Sequence, residues 1–220
     1  MIVDVVGSGP SVYDFEPCGN ITVGTGPGIL KSKPDWLMMQ DEYGLNQFVE
    51  DNYEAIAPVH LSIHAIHIIT KRWNTQKRDK FLSKVILKKL TKLELSKIPT
   101  PFRFSELNII KYGRDYEWDL PISCGCMAVM FAIIKHDPSN VRCWGFDAHK
   151  CGNVVDLDHH LNRSDGYAKF DVSNLRRHRD KKYAHDDLSR GEIYAKRGFL
   201  WQKTLEKINS YFPKVKVELM

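Results

Sequence analysis

Short apolar runs, each closed by glycine or by polar residues, recur along the chain. Five of the six residues from Ile2 to Gly7 are Ile, Val or Gly, a pattern that predicts a short, buried, central strand. Asn20 to Gly24 reads as a second strand, and Trp36 to Met39 as a third that ends at Gln40-Asp41-Glu42. A helix is expected from Tyr43 to Asn52, with Asp41 as its N-cap or as a contact to a ribose or an acceptor hydroxyl. Pro58 to Thr70 alternates, with His60, Ser62 and His64 on one face and Leu61 and Ile63 on the other, and reads as a strand carrying ordinary histidines. From Lys77 to Leu95 the apolar positions fit a helical period and predict a basic amphipathic helix. Leu107 to Lys111 reads as a short strand. Leu120 to Ile134 is apolar nearly all round and predicts a buried helix. Asn140 to Asp147 is a further strand, Glu192 to Tyr211 a helix with Ser189 and Glu192 at capping-box spacing, and Val215 to Leu219 a final strand. This succession predicts an α/β fold, a single Rossmann-like open sheet with mostly parallel strands.

Composition bounds the class. At 220 residues, 43% hydrophobic and 27% charged, the chain is expected to form one domain over 1–220. No apolar run approaches the roughly 20 residues of a membrane span. The N-terminus has no basic and apolar signal pattern, so a cytoplasmic enzyme is expected (in the host cytoplasm if phage-encoded). The five cysteines, Cys18, Cys124, Cys126, Cys143 and Cys151, are odd in number and form no CxxC, which predicts free thiols and neither a disulfide framework nor a zinc site.

Charge changes the picture locally. The chain carries +5 overall, but Lys71 to Lys97 holds ten Lys/Arg against Asp79 and Glu94, a local excess of +8. That basic helical insertion over about 71–97 predicts an anionic partner: nucleic acid, a membrane surface or an acidic glycan. The alternative is a solvated helix face. Lys71, Arg72, Lys77, Arg78, Lys80, Lys84, Lys88 and Lys89 are the candidate contacts to double-stranded DNA.

Candidate chemistry gathers where strands end. Gly7-Ser8-Gly9-Pro10-Ser11 follows the first strand, and its glycines permit a sharp turn and close approach of a phosphate, though an ordinary strand-to-helix turn uses the same residues. The spacing matches neither GxGxxG nor a P-loop. Ser123 and Gly125 open the buried helix and form a second candidate anion site. Asp147 to His185 is rich in His, Asp, Arg and Lys and poor in apolar runs, so a long functional loop or lid is expected over about 148–190.

The order of these motifs resembles the bacterial sialyltransferases that build lipo-oligosaccharides and, more distantly, 6-hydroxymethylpterin diphosphokinase-like proteins. The resemblance implies a nucleotide-binding α/β domain with a C-terminal lid. It implies that Gly7, Ser8, Gly9, Pro10 and Ser11 lie against a donor nucleotide. Ile122-Ser123-Cys124-Gly125 stands where the family has I-T-S-G, and Gly145-Phe146-Asp147 matches its G-I-D strand end. Tyr183-Ala184-His185 stands in the place of a phosphate-binding Tyr and a catalytic His, one residue tighter than the family spacing. Gln40 or Asp41 replaces an Asn that contacts the nucleotide, and the family's Arg before I-T-S-G is absent.

The expected activity is therefore transfer of a sugar from a UDP- or CMP-linked donor to an acceptor hydroxyl, with His185 as base and Asp41 near the acceptor. No DxD stands in the expected central loop, since Asp156-Leu-Asp158 lies beyond the last core strand, so a metal-independent reaction without a further cofactor is expected. The internal basic segment points to a hydroxymethylated base of phage DNA as acceptor. A cell-envelope glycan, a pterin diphosphokinase-like reaction and a non-enzymatic nucleic-acid-binding module are the alternatives.

Overall fold

The computed structural model of the protein describes residues 1–7, 14–25, 34–40, 42–50, 52–53, 57–97, 124–146 and 204–220. The strands are β1 (Ile2–Val6), β2 (Ile21–Thr25), β3 (Trp36–Met39), β4 (Pro58–Leu61), β5 (Ile86–Leu87), β6 (Asn140–Trp144) and β7 (Lys216–Leu219). They form one sheet in the order β5-β4-β3-β2-β1-β6-β7, and every pairing is parallel. The chain steps outward from β1 to β5, then returns to place β6 on the other side of β1. An α/β sheet of this kind brings all carboxyl ends to one edge, and its order reverses between β1 and β6.

Near-continuous apolar strands need cover on both faces, and both are covered. One face carries α5 (Cys124–His136), whose residues from Gly125 to Ile134 are all buried. It packs on Val3 and Val5 of β1, Val23 of β2, Met38 of β3 and Val141 and Cys143 of β6, beside Leu205 and Ile208 of a helical stretch over 204–211. The other face, over β3 and β4, carries α1 (Glu42–Glu50) and α3 (Thr75–Leu82), which close a second core around Leu37, Met39, Val59, Phe48 and Phe81. Phe81 meets Phe48 and Trp73 edge-on, with centroids 5.5 and 5.7 Å apart.

Two expected elements are corrected. The alternating stretch from Pro58 to Thr70 is a strand only as far as Leu61, where Ser62 caps a helix. The Ser62 hydroxyl accepts from Ala65 N at 3.1 Å, and α2 (Ile63–His67) runs on into a π-helical segment, Ile68–Arg72. The capping bond and the burial of Ala65, Ile68 and Ile69 override the local alternation.

The continuous basic helix from Lys77 to Leu95 is likewise three elements. Asn74 caps α3 through Lys77 N at 2.8 Å, and the helix ends at Leu82. Ile86–Leu87 then add to the edge of β4, where Lys88 N donates to Val59 O at 2.9 Å. Thr91 and Glu94 form a reciprocal capping box that starts α4 (Lys92–Ser96), with Thr91 N to Glu94 Oε2 at 2.6 Å and Glu94 N to Thr91 Oγ1 at 3.2 Å. Satisfying the open backbone edge of β4 wins over helical periodicity.

Leu107 to Lys111, Cys151 and the expected lid lie outside the described residues. Of the described cysteines, Cys126 and Cys143 are buried, Cys124 is half-buried and Cys18 is exposed. No helix among the described residues is long and apolar enough to cross a membrane.

Candidate functional site

The point where strand order reverses is built from two glycines. Gly7, directly after β1, donates its N–H to Trp144 O at 2.7 Å. Gly145, directly after β6, turns with φ 71°, a left-handed conformation that side chains rarely adopt. A Cβ on Gly7 would stand 2.7 Å from Gly145 O and 3.1 Å from the Phe146 ring. Close packing of the two strand ends thus demands glycine at position 7. Phe146 is buried against this junction.

Three further elements end at the same edge. Thr25, last in β2, donates its hydroxyl to Val6 O at 3.3 Å. Gln40 follows β3 and is buried; its backbone carbonyl accepts from Ser62 Oγ at 3.5 Å. Cys124, first in α5, donates its thiol to Met38 O at 3.5 Å. That contact fixes the amino end of a 13-residue helix at the carboxyl end of β3, about 10 Å or two strand spacings from β1. The positive end of the helix dipole therefore faces the crevice edge, where it favours an anion.

The expected donor-site residues Gly7, Gln40, Cys124, Gly125, Gly145 and Phe146 are thus gathered along one edge. Ser8, Gly9, Pro10, Ser11, Asp41, Ser123, Asp147, Tyr183 and His185 lie outside the described residues.

Beneath the reversal point sits a polar group that the apolar reading of the first strand passes over. Asp4, inside β1, is fully buried. Arg142 of β6 donates to its two oxygens at 2.7 and 2.8 Å, Asn20 at 2.9 Å and Trp144 Nε1 at 3.0 Å. Burial pushes the Asp4 carboxyl up, but the Arg142, Asn20 and Trp144 hydrogen bonds together hold it below the usual carboxylate range. The Arg142 guanidinium is in turn held more firmly protonated. It also lies 3.2 Å from Cys18 Sγ and 5.8 Å from the centre of the Trp144 ring. The sequence signal was available: a lone acid within one apolar strand and a lone Arg within another.

The basic segment sits at the far side of the sheet, on and around edge strand β5, about 19 Å or four strand spacings from β1. Several of its candidate contacts are engaged internally. Arg72 pairs with Glu42 at 2.9 Å, Lys77 with Glu50 at 3.6 Å and Arg78 with Asp79 at 3.4 Å, while Lys84 Nζ donates to Asn52 Oδ1 at 2.6 Å. Lys71, Lys80, Lys88 and Lys89 are exposed. Among the described residues no group of three or more His, Cys, Asp or Glu side chains could hold a metal ion. No protein-family model matches the chain, and neither does any curated protein or solved structure.

Proposed function

We propose that the protein is a nucleotide-sugar-dependent glycosyltransferase whose donor binds at the carboxyl edge of the sheet, where β1 and β6 part. The observation that carries this reading is that the Gly7–Gly145 junction and the amino end of α5, about 10 Å or two strand spacings away, lie along the same edge. In open α/β sheets ligands bind at such reversals, and a helix amino end along the same edge suits a phosphate.

The finer reading, a sialyltransferase-like domain with a C-terminal lid, rests on the resemblance. In it the acceptor hydroxyl oxygen attacks the anomeric carbon while His185 takes the hydroxyl proton. The bond from that carbon to the phosphate oxygen breaks, and the nucleotide leaves with the bonding electron pair. Tyr183 and the amino end of α5 stabilise the departing phosphate, which removes the need for a divalent cation. Asp41, directly after Gln40 in sequence, orients the acceptor. The acceptor is a hydroxyl carried on an anionic support, a hydroxymethylated DNA base or a cell-envelope glycan.

The test is thermal denaturation of the purified protein with CMP, UDP, their sugar conjugates and ATP, each with and without magnesium. A rise in midpoint with CMP or UDP that is indifferent to magnesium is the expected result. A rise only with ATP and magnesium would replace this reading with the diphosphokinase-like one, and no rise with any nucleotide would leave a binding module.

A further inference from the structure

The edge around β5 combines two features that a solvated lysine face does not need together. Between residues 82 and 93 the aliphatic side chains Leu82, Ile86, Leu87 and Leu93 are 40%, 58%, 41% and 70% exposed. They stand among Lys80, Lys88, Lys89 and Lys92, which are also exposed and have no acidic partner among the described residues. The two acids of the segment are already engaged, Asp79 by Arg78 and Glu94 by Lys135. Ile86 stands beside Pro58 and Leu87 beside Val59, so the two point to opposite faces at the edge of the sheet. Leu82 closes α3 just before this strand, and Leu93 lies in α4 just after it.

We propose that this edge is an interfacial membrane-binding surface. Leu82, Ile86, Leu87 and Leu93 enter the headgroup region of an anionic bilayer, while Lys80, Lys88, Lys89 and Lys92 hold its phosphates. The charge of the patch selects an anionic partner. Its aliphatic residues then separate lipid from nucleic acid. Four exposed Leu and Ile gain nothing against a phosphate backbone, whereas the interface of a bilayer takes both apolar and basic side chains. A second copy of the chain docked about a two-fold axis would bring like-charged lysines together. The inference goes beyond glycosyl transfer and does not depend on it.

The experiment is flotation of the full chain with phosphatidylglycerol/phosphatidylcholine vesicles, with neutral phosphatidylcholine vesicles as reference and duplex DNA as competitor. Binding about tenfold or more tighter to the anionic vesicles is expected, with part of it surviving roughly 0.5 M salt because the apolar contacts are not screened. Ile86→Ser with Leu93→Ser should lower vesicle binding about tenfold and, because the charge of the patch is kept, leave affinity for DNA unchanged. Both sites are exposed, and an unchanged circular dichroism melt verifies folding; if the melt changes, Leu93→Ser alone takes their place. Absence of vesicle binding at low salt overturns the proposal. So does vesicle binding that is lost in Lys88→Glu/Lys89→Glu but indifferent to the aliphatic substitutions, or DNA competition that removes all of it, since the edge would then be a general polyanion surface.

Discussion

Asp4 and Arg142 stand directly opposite each other on β1 and β6, and the guanidinium donates to both oxygens of the carboxylate, at 2.7 and 2.8 Å. The bridge spans the two strands between which the sheet order reverses. A carboxylate with a side chain 1% exposed, set in an otherwise apolar strand, is tolerable only because its lone pairs are filled from Arg142, Asn20 and Trp144.

The first prediction concerns that pair. Arg142→Ala leaves Asp4 buried and short of its main partner, and urea denaturation should show a loss of about 3–5 kcal/mol. Arg142→Lys should recover only part of it, because an ammonium group cannot reproduce the bidentate fork. Removing both partners, as Asp4→Leu with Arg142→Leu, should cost less than the sum of the single losses. Strictly additive costs would show that the pair is not coupled.

The second prediction concerns the glycine junction. Gly7→Ala places a Cβ 2.7 Å from a backbone oxygen, which cannot swing aside as a flexible side-chain end would. It should cost about 1–3 kcal/mol of stability and weaken nucleotide binding with it. Gly19 has φ 81° with nothing within 4 Å of its would-be Cβ, so Gly19→Asn carries only the backbone strain of a left-handed residue and should cost less than Gly7→Ala. Equal effects at the two positions would remove the steric argument.

A third prediction follows from two histidines, one packed on α5 and one at its end. His60 stacks on Phe131 with centroids 5.0 Å apart, and His136 lies edge-on to Trp36 at 6.2 Å. Burial pushes both imidazoles below their usual 6.5, aided at His136 by Lys135. As pH falls through 6.5 the unfolded chain therefore takes up protons before the folded one, and stability declines. His136→Phe keeps an aromatic ring among its neighbours and should flatten the stability profile between about pH 5 and 7. An unaltered slope would show that His136 does not titrate differently in the two states.

Acid should act a second time at lower pH. The hydrogen bond from Lys135, at 2.7 Å, holds the Glu94 carboxyl down at about 2 against an ordinary 4.5. Its contribution is complete above about 4.5 and is lost as pH falls towards 2. Glu94→Gln should remove this lower step and deepen the histidine step, because the Glu94 charge raises the His60 and His136 imidazoles and its loss leaves them further depressed, as followed by denaturation midpoints across the acid range. It also weakens the capping box with Thr91, so a small loss at neutral pH should accompany it.

Much of the fold was legible in the residue pattern. Ile2–Val6, Ile21–Thr25, Trp36–Met39 and Asn140–Trp144 are strands because compact apolar runs closed by turn residues leave few other options, and Cys124–His136 is a buried helix because it is apolar on every side. Such signals depend on nearest neighbours along the chain, and those the sequence supplies. The gathering of Gly7, Gln40, Cys124 and Gly145 at one edge was likewise implied once the strands were taken as parallel.

The tertiary structure decided the rest. Periodicity joined Lys77 to Leu95 into one helix, but the unpaired backbone of β4 recruits Ile86–Leu87 as an edge strand, a demand that no window along the sequence contains. Alternation carried Pro58 on to Thr70 as a strand, but the cores under Ala65, Ile68 and Ile69 required a helix there. Asp4 and Arg142, 138 residues apart, acquire their meaning only when register sets them side by side. Local hydrophobic pattern fixes which segments are strands and helices, whereas strand order and register, set by long-range burial and backbone pairing, fix which side chains meet.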